Sequence, residues 1–387
     1  MIILGIETSC DETAVSVIQS DNGVLKVLAN VVSSQVKLHA KWGGVVPNLA
    51  AREHLKNMIP VLQEALEKAN ATPEKIDLLC VTQGPGLIPA LLIGNSAAKT
   101  LSFVWQKPLL GIHHIEGHIY ANFIGVNSQL VTHNSQPKKI KFPILCLVVS
   151  GGHTQLVLMK KHLSYEIIGQ TLDDAAGEAF DKVARILGLG YPGGPAIAQK
   201  AMEISNLKSQ ISNKFKIQNL KSKFPKKLGI HNSEFVIRLP RPMMNKKNFD
   251  FSFSGLKTAV LYATKKYPEF LKNEKYIAEM AHEFQQSVVD VLVSKTLKAA
   301  EKFKPKTIML AGGVSANQEL RRQLGEAVKK KFNTTKYILP DTKYSIDNAS
   351  MIAAAGFFRW QKLTAKQKKL AINNWKTIEA AANLKLK

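Results

Sequence analysis

Ile2–Glu7, then Thr8-Ser9-Cys10-Asp11-Glu12-Thr13, then Ala14–Ile18 read as an apolar strand, a small polar turn and a second apolar strand. Far along the chain the pattern returns as Ile144–Val149, Ser150-Gly151-Gly152-His153-Thr154 and Gln155–Met159. Both are hairpin signatures. Working outward, each half goes on to a strand that ends in glycines and opens a helix. In the first half this is Leu78–Thr82 followed by Gly84-Pro85-Gly86. In the second it is Thr307–Leu310 followed by Ala311-Gly312-Gly313-Val314-Ser315-Ala316-Asn317, with helical Glu319–Leu324 behind it. A duplicated unit of hairpin plus strand–glycine–helix predicts an α/β protein with two similar lobes facing a cleft.

The first lobe is expected over residues 1–112, completed by the C-terminal region 348–387, and the second over 113–347. Ser350–Gly356, rich in alanine and other small residues, predicts a closely packed helix returning to the first lobe. Val126–Lys141 reads as a polar loop. Residues 204–248 read as a basic insertion, with eleven Lys or Arg against the single acid Glu234. Within it, Lys208–Lys227 has the composition of a clamp on a nucleic-acid backbone. The tail Lys362–Lys387 is basic and expected to be helical.

At 387 residues and 45% apolar, the chain has room for two ordinary cores. Its apolar runs are too short to span a bilayer. No basic stretch precedes Ile2, so a leader is not expected and a cytoplasmic location is. Cys10, Cys80 and Cys146 are scattered and odd in number, which is neither a disulfide framework nor a zinc ribbon. Lys plus Arg total 53 against 29 acids, a net charge of +24 that attracts polyanions, nucleic acid first among them.

Four glycine turns, at Gly84–Gly86, Gly151–Gly152, Gly193–Gly194 and Gly312–Gly313, allow close approach of backbone N–H groups to an anion. The Walker A pattern is absent, so the phosphate-binding loop of that class is excluded. In His113-His114-Ile115-Glu116-Gly117-His118, residues His114 and His118 stand four apart and share one helical face. Such a pair can hold a metal ion if a carboxylate completes it, and Asp347 is the candidate. A peptidase helix would place its glutamate directly after the first histidine, where Ile115 stands. Asp347 could instead be a helix cap. Asp173 and Asp174 read as capping acids at a helix start, whereas Asp181 lies a full turn inside. Asp11 and Glu12 follow a buried strand, where a cleft would lie.

Ten ordered motifs resemble the universal family that includes bacterial TsaD and its archaeal and eukaryotic counterparts. They are Gly5–Thr13, Gly43–Pro47, Gly84–Leu87, His113–His118, Val149–Thr154, Asp173–Lys182, Tyr191–Pro195, Phe251–Lys257, Gly312–Asn317 and Asp347-Asn348. The resemblance implies two actin-like lobes of the sugar-kinase and heat-shock ATPase type. It also implies transfer of a threonylcarbamoyl group from threonylcarbamoyl-AMP to the exocyclic amine of the adenosine beside the anticodon, in tRNAs reading codons that begin with A.

By the same resemblance, His114, His118 and Asp347 would hold one divalent ion, iron(II) or zinc. Val148, Val149, Ser150, Gly151, Gly152, Asp181, Gly194 and Asn317 would bind the adenylate, and Asp11 and Glu12 would be the catalytic acids. TsaB- and TsaE-like helper subunits are the implied partners, with a homodimer as the other possibility. Ala198, Pro89 and Asn48 depart from the family pattern. The rival readings are an actin-fold ATPase or phosphotransferase and a metallopeptidase.

Overall fold

The computed structural model describes residues 1–125, 140–214, 230–231, 234–235 and 237–386. Most of Val126–Lys141 and of the lysine run Lys208–Lys227 lies outside the described residues.

The first hairpin is β1 (Ile2–Glu7) and β2 (Glu12–Asp21), extended by β3 (Val24–Ser34). β1 is buried from Ile3 to Glu7, as a near-continuous apolar run requires of a central strand. Helices α1 (Val36–Ala40) and α2 (Pro47–Ala69) lead to β4 (Leu78–Gly84), and α3 (Ile88–Trp105) leads to β5 (Leu109–His113). The sheet order is β3-β2-β1-β4-β5, with β4 and β5 parallel to β1. A short helix, α4 (His114–Tyr120), follows at once.

The second half repeats this. β6 (Ile144–Val149), β7 (Thr154–Lys161) and β8 (Ser164–Gln170) form the antiparallel part. Then come α5 (Ala176–Ile186), α6 (Gly193–Lys214), a two-residue ribbon β9 (Ile230–His231) and β10 (Glu234–Phe235), α7 (Ser254–Lys266) and α8 (Glu274–Phe303). β11 (Thr307–Ala311), α9 (Gln318–Lys331) and β12 (Lys336–Ile338) close the unit. The order β12-β11-β6-β7-β8 is that of the first sheet, with β11 parallel to both neighbours. Two such sheets make the actin-like, ATPase-type fold.

α10 (Ala349–Lys362) returns to the first sheet, as its small residues predict. A Cβ on Gly5 would collide with the Ala349 carbonyl, and one on Gly356 with the Cys80 sulfur. One core cluster mixes Ile3, Cys80 and Ile112 of the first sheet with Ile144, Val148 and Met309 of the second, around α4 and α10. These two helices therefore sit where the sheets meet.

Several local details differ from the sequence reading. α6 continues through Ile204 to Lys214 where an aperiodic insertion is expected. Arg241, at the far end of that stretch, pairs with Glu283 and Asp290 on α8. The tail is helical only through α11 (Ala365–Leu370) and a 3-10 turn Ala371–Lys376. Beyond that it lies along β4, with Ala381 N donating to the Gln83 carbonyl at 2.8 Å. Pro89 falls in the first turn of α3, where proline costs the helix nothing.

Candidate metal and transfer site

The first hairpin turn starts where β1 ends at Glu7, whose side chain is wholly buried. Ser9 N donates to its Oε1 at 2.5 Å and Thr82 Oγ1 to its Oε2 at 2.6 Å. His114 Nδ1 lies 3.0 Å from the same Oε2. With Nδ1–H given to Glu7, the opposite nitrogen of the ring faces Asp347. His114 Nε2 is 3.5 Å from Asp347 Oδ1, and His118 Nε2 is 3.0 Å from it.

The three residues bring one ligand atom each to within 4.8 Å of one another. Burial alone would depress His114, but Asp347 and Glu7 more than reverse this and lift it to about 9. Burial would likewise raise Asp347, yet the two histidines hold it well below the usual carboxylate range. Despite the short approach, neither ring nitrogen of buried His118 has an aligned hydrogen-bond partner. Two imidazoles, one with its ring nitrogens unsatisfied, and a carboxylate are the donor set that a borderline divalent ion fits. Asp347 is no helix cap: Asn348 takes that position, its Oδ1 accepting from Met351 N at 3.1 Å.

Asp11 and Glu12 flank this cluster in the first turn. Burial, Asp11 and Asp347 together push Glu12 well above its ordinary value, against one hydrogen bond from Ser34 at 3.0 Å. Opposite them, Asp181 on α5 accepts from Gly193 N at 2.7 Å, which ties α5 to the first turn of α6. Burial raises Asp181 despite that bond. Gly194 stands beside it, with open space where a side chain would be. Arg185, one turn along α5, donates across the cleft to the Gly43 carbonyl.

In the second hairpin turn Gly151 and Gly152 are exposed, and no atom lies within 4 Å of an added Cβ at either. Val148 and Val149 are fully buried in β6, paired with Gln155 and Thr154 of β7. Asn317 caps α9, accepting from Leu320 N at 3.0 Å and donating to Gln285 at 2.8 Å. A cavity of about 460 Å³ is lined by His113, His153, Gln155, Asp250 and tail residues Leu384–Leu386. Burial and the neighbouring His114 and His118 depress His153 to about 4, leaving it neutral.

Asp173 and Asp174 do not cap α5, whose N-cap is Ala175. Asp173 instead accepts from Phe253 N at 2.8 Å and Ser252 Oγ at 2.6 Å, and Asp174 pairs with Lys182 and Lys257. They fasten the Phe251–Lys257 motif. Sequence reasoning assigned no task to Glu7, although a charged residue ending a buried strand was a legible signal. Arg359 left none, being a lone base among Phe358 and Trp360.

Fold and site define an actin-like α/β protein with a two-histidine, one-carboxylate cluster between its sheets. Residues 26–354 match the family model TsaD, tRNA N6-adenosine threonylcarbamoyltransferase. A relative of that name from Thermosipho africanus is 45% identical over 386 residues, all of both chains. Another from Bacillus cereus is 46% identical over 372 residues, 96% of this chain and 94% of the relative. Among solved structures, a ROK family glucokinase from Streptomyces griseus overlaps at a TM-score of 0.41 and 10% identity, over 93% of this chain and 100% of that one. The chain belongs to the TsaD family of transferases.

Proposed function

We propose that this chain transfers the threonylcarbamoyl group of threonylcarbamoyl-AMP to the exocyclic amine of the adenosine beside the anticodon. Full-length identity to threonylcarbamoyltransferases carries the reading. The donor is a carbamoyl–phosphate anhydride, already activated, so positioning and charge stabilisation matter more than a strong nucleophile. The amine nitrogen bonds to the carbamoyl carbon, the carbon–oxygen bond to phosphate breaks, and AMP leaves.

Asp11 and Glu12 take the proton that the amine loses; Glu12, raised by its burial, is a stronger base than a free carboxylate. Gly151 and Gly152 offer backbone to the phosphate beside Ser150, with Val148 and Val149 fixing the strand behind them. Asp181, Gly194 and Asn317 hold the rest of the adenylate. His114, His118 and Asp347 would hold iron(II) or zinc, which when bound steadies negative charge on the donor oxygens. Glu116 serves no peptidase chemistry, since Arg359 occupies both its oxygens at 2.6 Å.

The residue division 1–112 with 348–387, against 113–347, is proposed as the lobe boundary, with the cytoplasm as the site of action. No helix of the described residues is long and apolar enough to cross a membrane. A TsaB-like helper is supported by an apolar face: Leu55 and Ile59 on α2 are 67% and 57% exposed, and Ile88 and Leu92 on α3 are 40% and 50%. Each pair is four residues apart, so each forms one stripe. The deciding experiment incubates the protein with unmodified tRNA, ATP, threonine, bicarbonate, an adenylate-forming enzyme and such helpers. Mass spectrometry of the nucleosides should show threonylcarbamoyladenosine; unmodified adenosine throughout would overturn the reading.

A further inference from the structure

α4 and α10 come from opposite ends of the chain, yet the metal cluster needs them in fixed register. Three consecutive residues of α4 each meet α10, or the residues leading into it, at a different level. His118 faces Asp347, just before the cap Asn348. Gly117 lies against Met351 and Ile352, so closely that an added Cβ would stand 2.8 Å from Ile352 Cδ1 and 3.2 Å from Met351 Cγ. Glu116 takes a two-pronged grip from Arg359, Nε to Oε1 and Nη2 to Oε2, both at 2.6 Å. Its side chain is completely buried and that of Arg359 is 38% exposed.

Burying an ion pair is a poor way to gain stability, because desolvation offsets much of the attraction. Apolar side chains of similar volume would pack there at least as well. What the pair supplies is geometry. A guanidinium fork fixes both the separation and the rotation of the group it grips. Glu116 points away from the face that carries His114 and His118, so a rotation of α4 about its axis moves all three together. Arg359 lies eleven positions beyond the cap, roughly 16 Å along the helix. It therefore grips α4 from the side opposite the Asp347 contact.

We propose that Glu116 and Arg359 are positioning residues that hold α4 in register on α10, so that His114, His118 and Asp347 converge on one ion. The inference rests on the metal reading given above, and its test keeps the two apart. Cobalt(II) is titrated into metal-free protein and followed by its visible absorption, for wild type, Glu116→Gln, Arg359→Lys and the apolar pair Glu116→Leu/Arg359→Met. The apolar pair removes the grip without leaving a buried charge unpaired, so it folds even where a single variant fails. Expected are a melting temperature of the metal-free apolar pair close to wild type and cobalt binding weaker by about 10–100-fold, the scale for groups that orient metal ligands. Cobalt affinity within twofold of wild type in the apolar pair would overturn the positioning role. If the wild type itself binds no cobalt, the metal cluster fails and the positioning role falls with it.

Discussion

The two hairpin turns occupy equivalent places in two sheets of the same order, and they are dressed in opposite ways. The first, between β1 and β2, carries acid: Asp11 and Glu12, with Glu7 buried beneath them. The second, between β6 and β7, carries none, and offers the exposed backbone of Gly151 and Gly152 beside buried Ser150. On the function proposed above, the duplicated frame is divided between a face that would take up a proton and one that would approach a phosphate. The order and pairing of the strands around the two turns stay the same.

If that division is real, variants in the two halves will fail in different ways. The largest effect belongs to the acidic turn. Asp11→Asn and Glu12→Gln should lower kcat by about 10²–10⁴, the usual reach of general-base catalysis, with adenylate affinity unchanged. A loss confined to KM, measured in steady-state transfer to tRNA, would break the comparison.

A smaller effect belongs to the second half. Asp181→Ala and Asn317→Ala should each weaken adenylate binding by about 1–3 kcal/mol, read by calorimetry with a non-hydrolysable analogue. Since Asn317 also caps α9, its variant should lose about 1 kcal/mol of stability as well. Lowered stability with full affinity would return Asn317 to a purely structural role.

The smallest effect tests the joint between the halves. His114 in the metal-free protein has its pKa at about 9, above the ~6.5 of an unfolded histidine. Its proton therefore favours the folded state below pH ~6.5, and that stabilisation drains away as pH rises through about 9. Melting of metal-free wild type should fall between pH 6.5 and 9 by roughly 1–4 °C more than that of His114→Gln. Parallel curves would show that the Glu7–His114–Asp347 cluster contributes nothing to how the halves are held.

Much of this organisation is legible in one sequence because hairpins and glycine turns are local. The apolar runs Ala14–Ile18 and Gln155–Met159, each behind a small polar turn, need no partner to be read, and both fall inside the strands found. His114 and His118 share a helical face by arithmetic alone. Contacts between distant residues are not legible in that way. Glu116 and Arg359 lie 243 positions apart, and nothing in either neighbourhood announces the other. The cap at α10 misleads for the same reason. Asp347 and Asn348 are both good caps by type, and only the fold decides that Asn348 caps while Asp347 turns to the histidines. Asp173 and Asp174, expected at the start of α5, are claimed by a motif 80 residues on.

The contact from Arg185 to the Gly43 carbonyl joins α5 of one half to a loop of the other. The guanidinium nitrogens would stand 3.3–3.4 Å from a Cβ added at Gly43 or Gly44, where φ is +67° and +157°. Its acceptor is a main-chain oxygen, which every residue possesses. No exchange at position 43 could therefore compensate for a change at position 185, as a new acid can answer a new base. The two positions would each resist substitution without varying together, so a contact that spans the cleft would leave no trace in pairwise covariation.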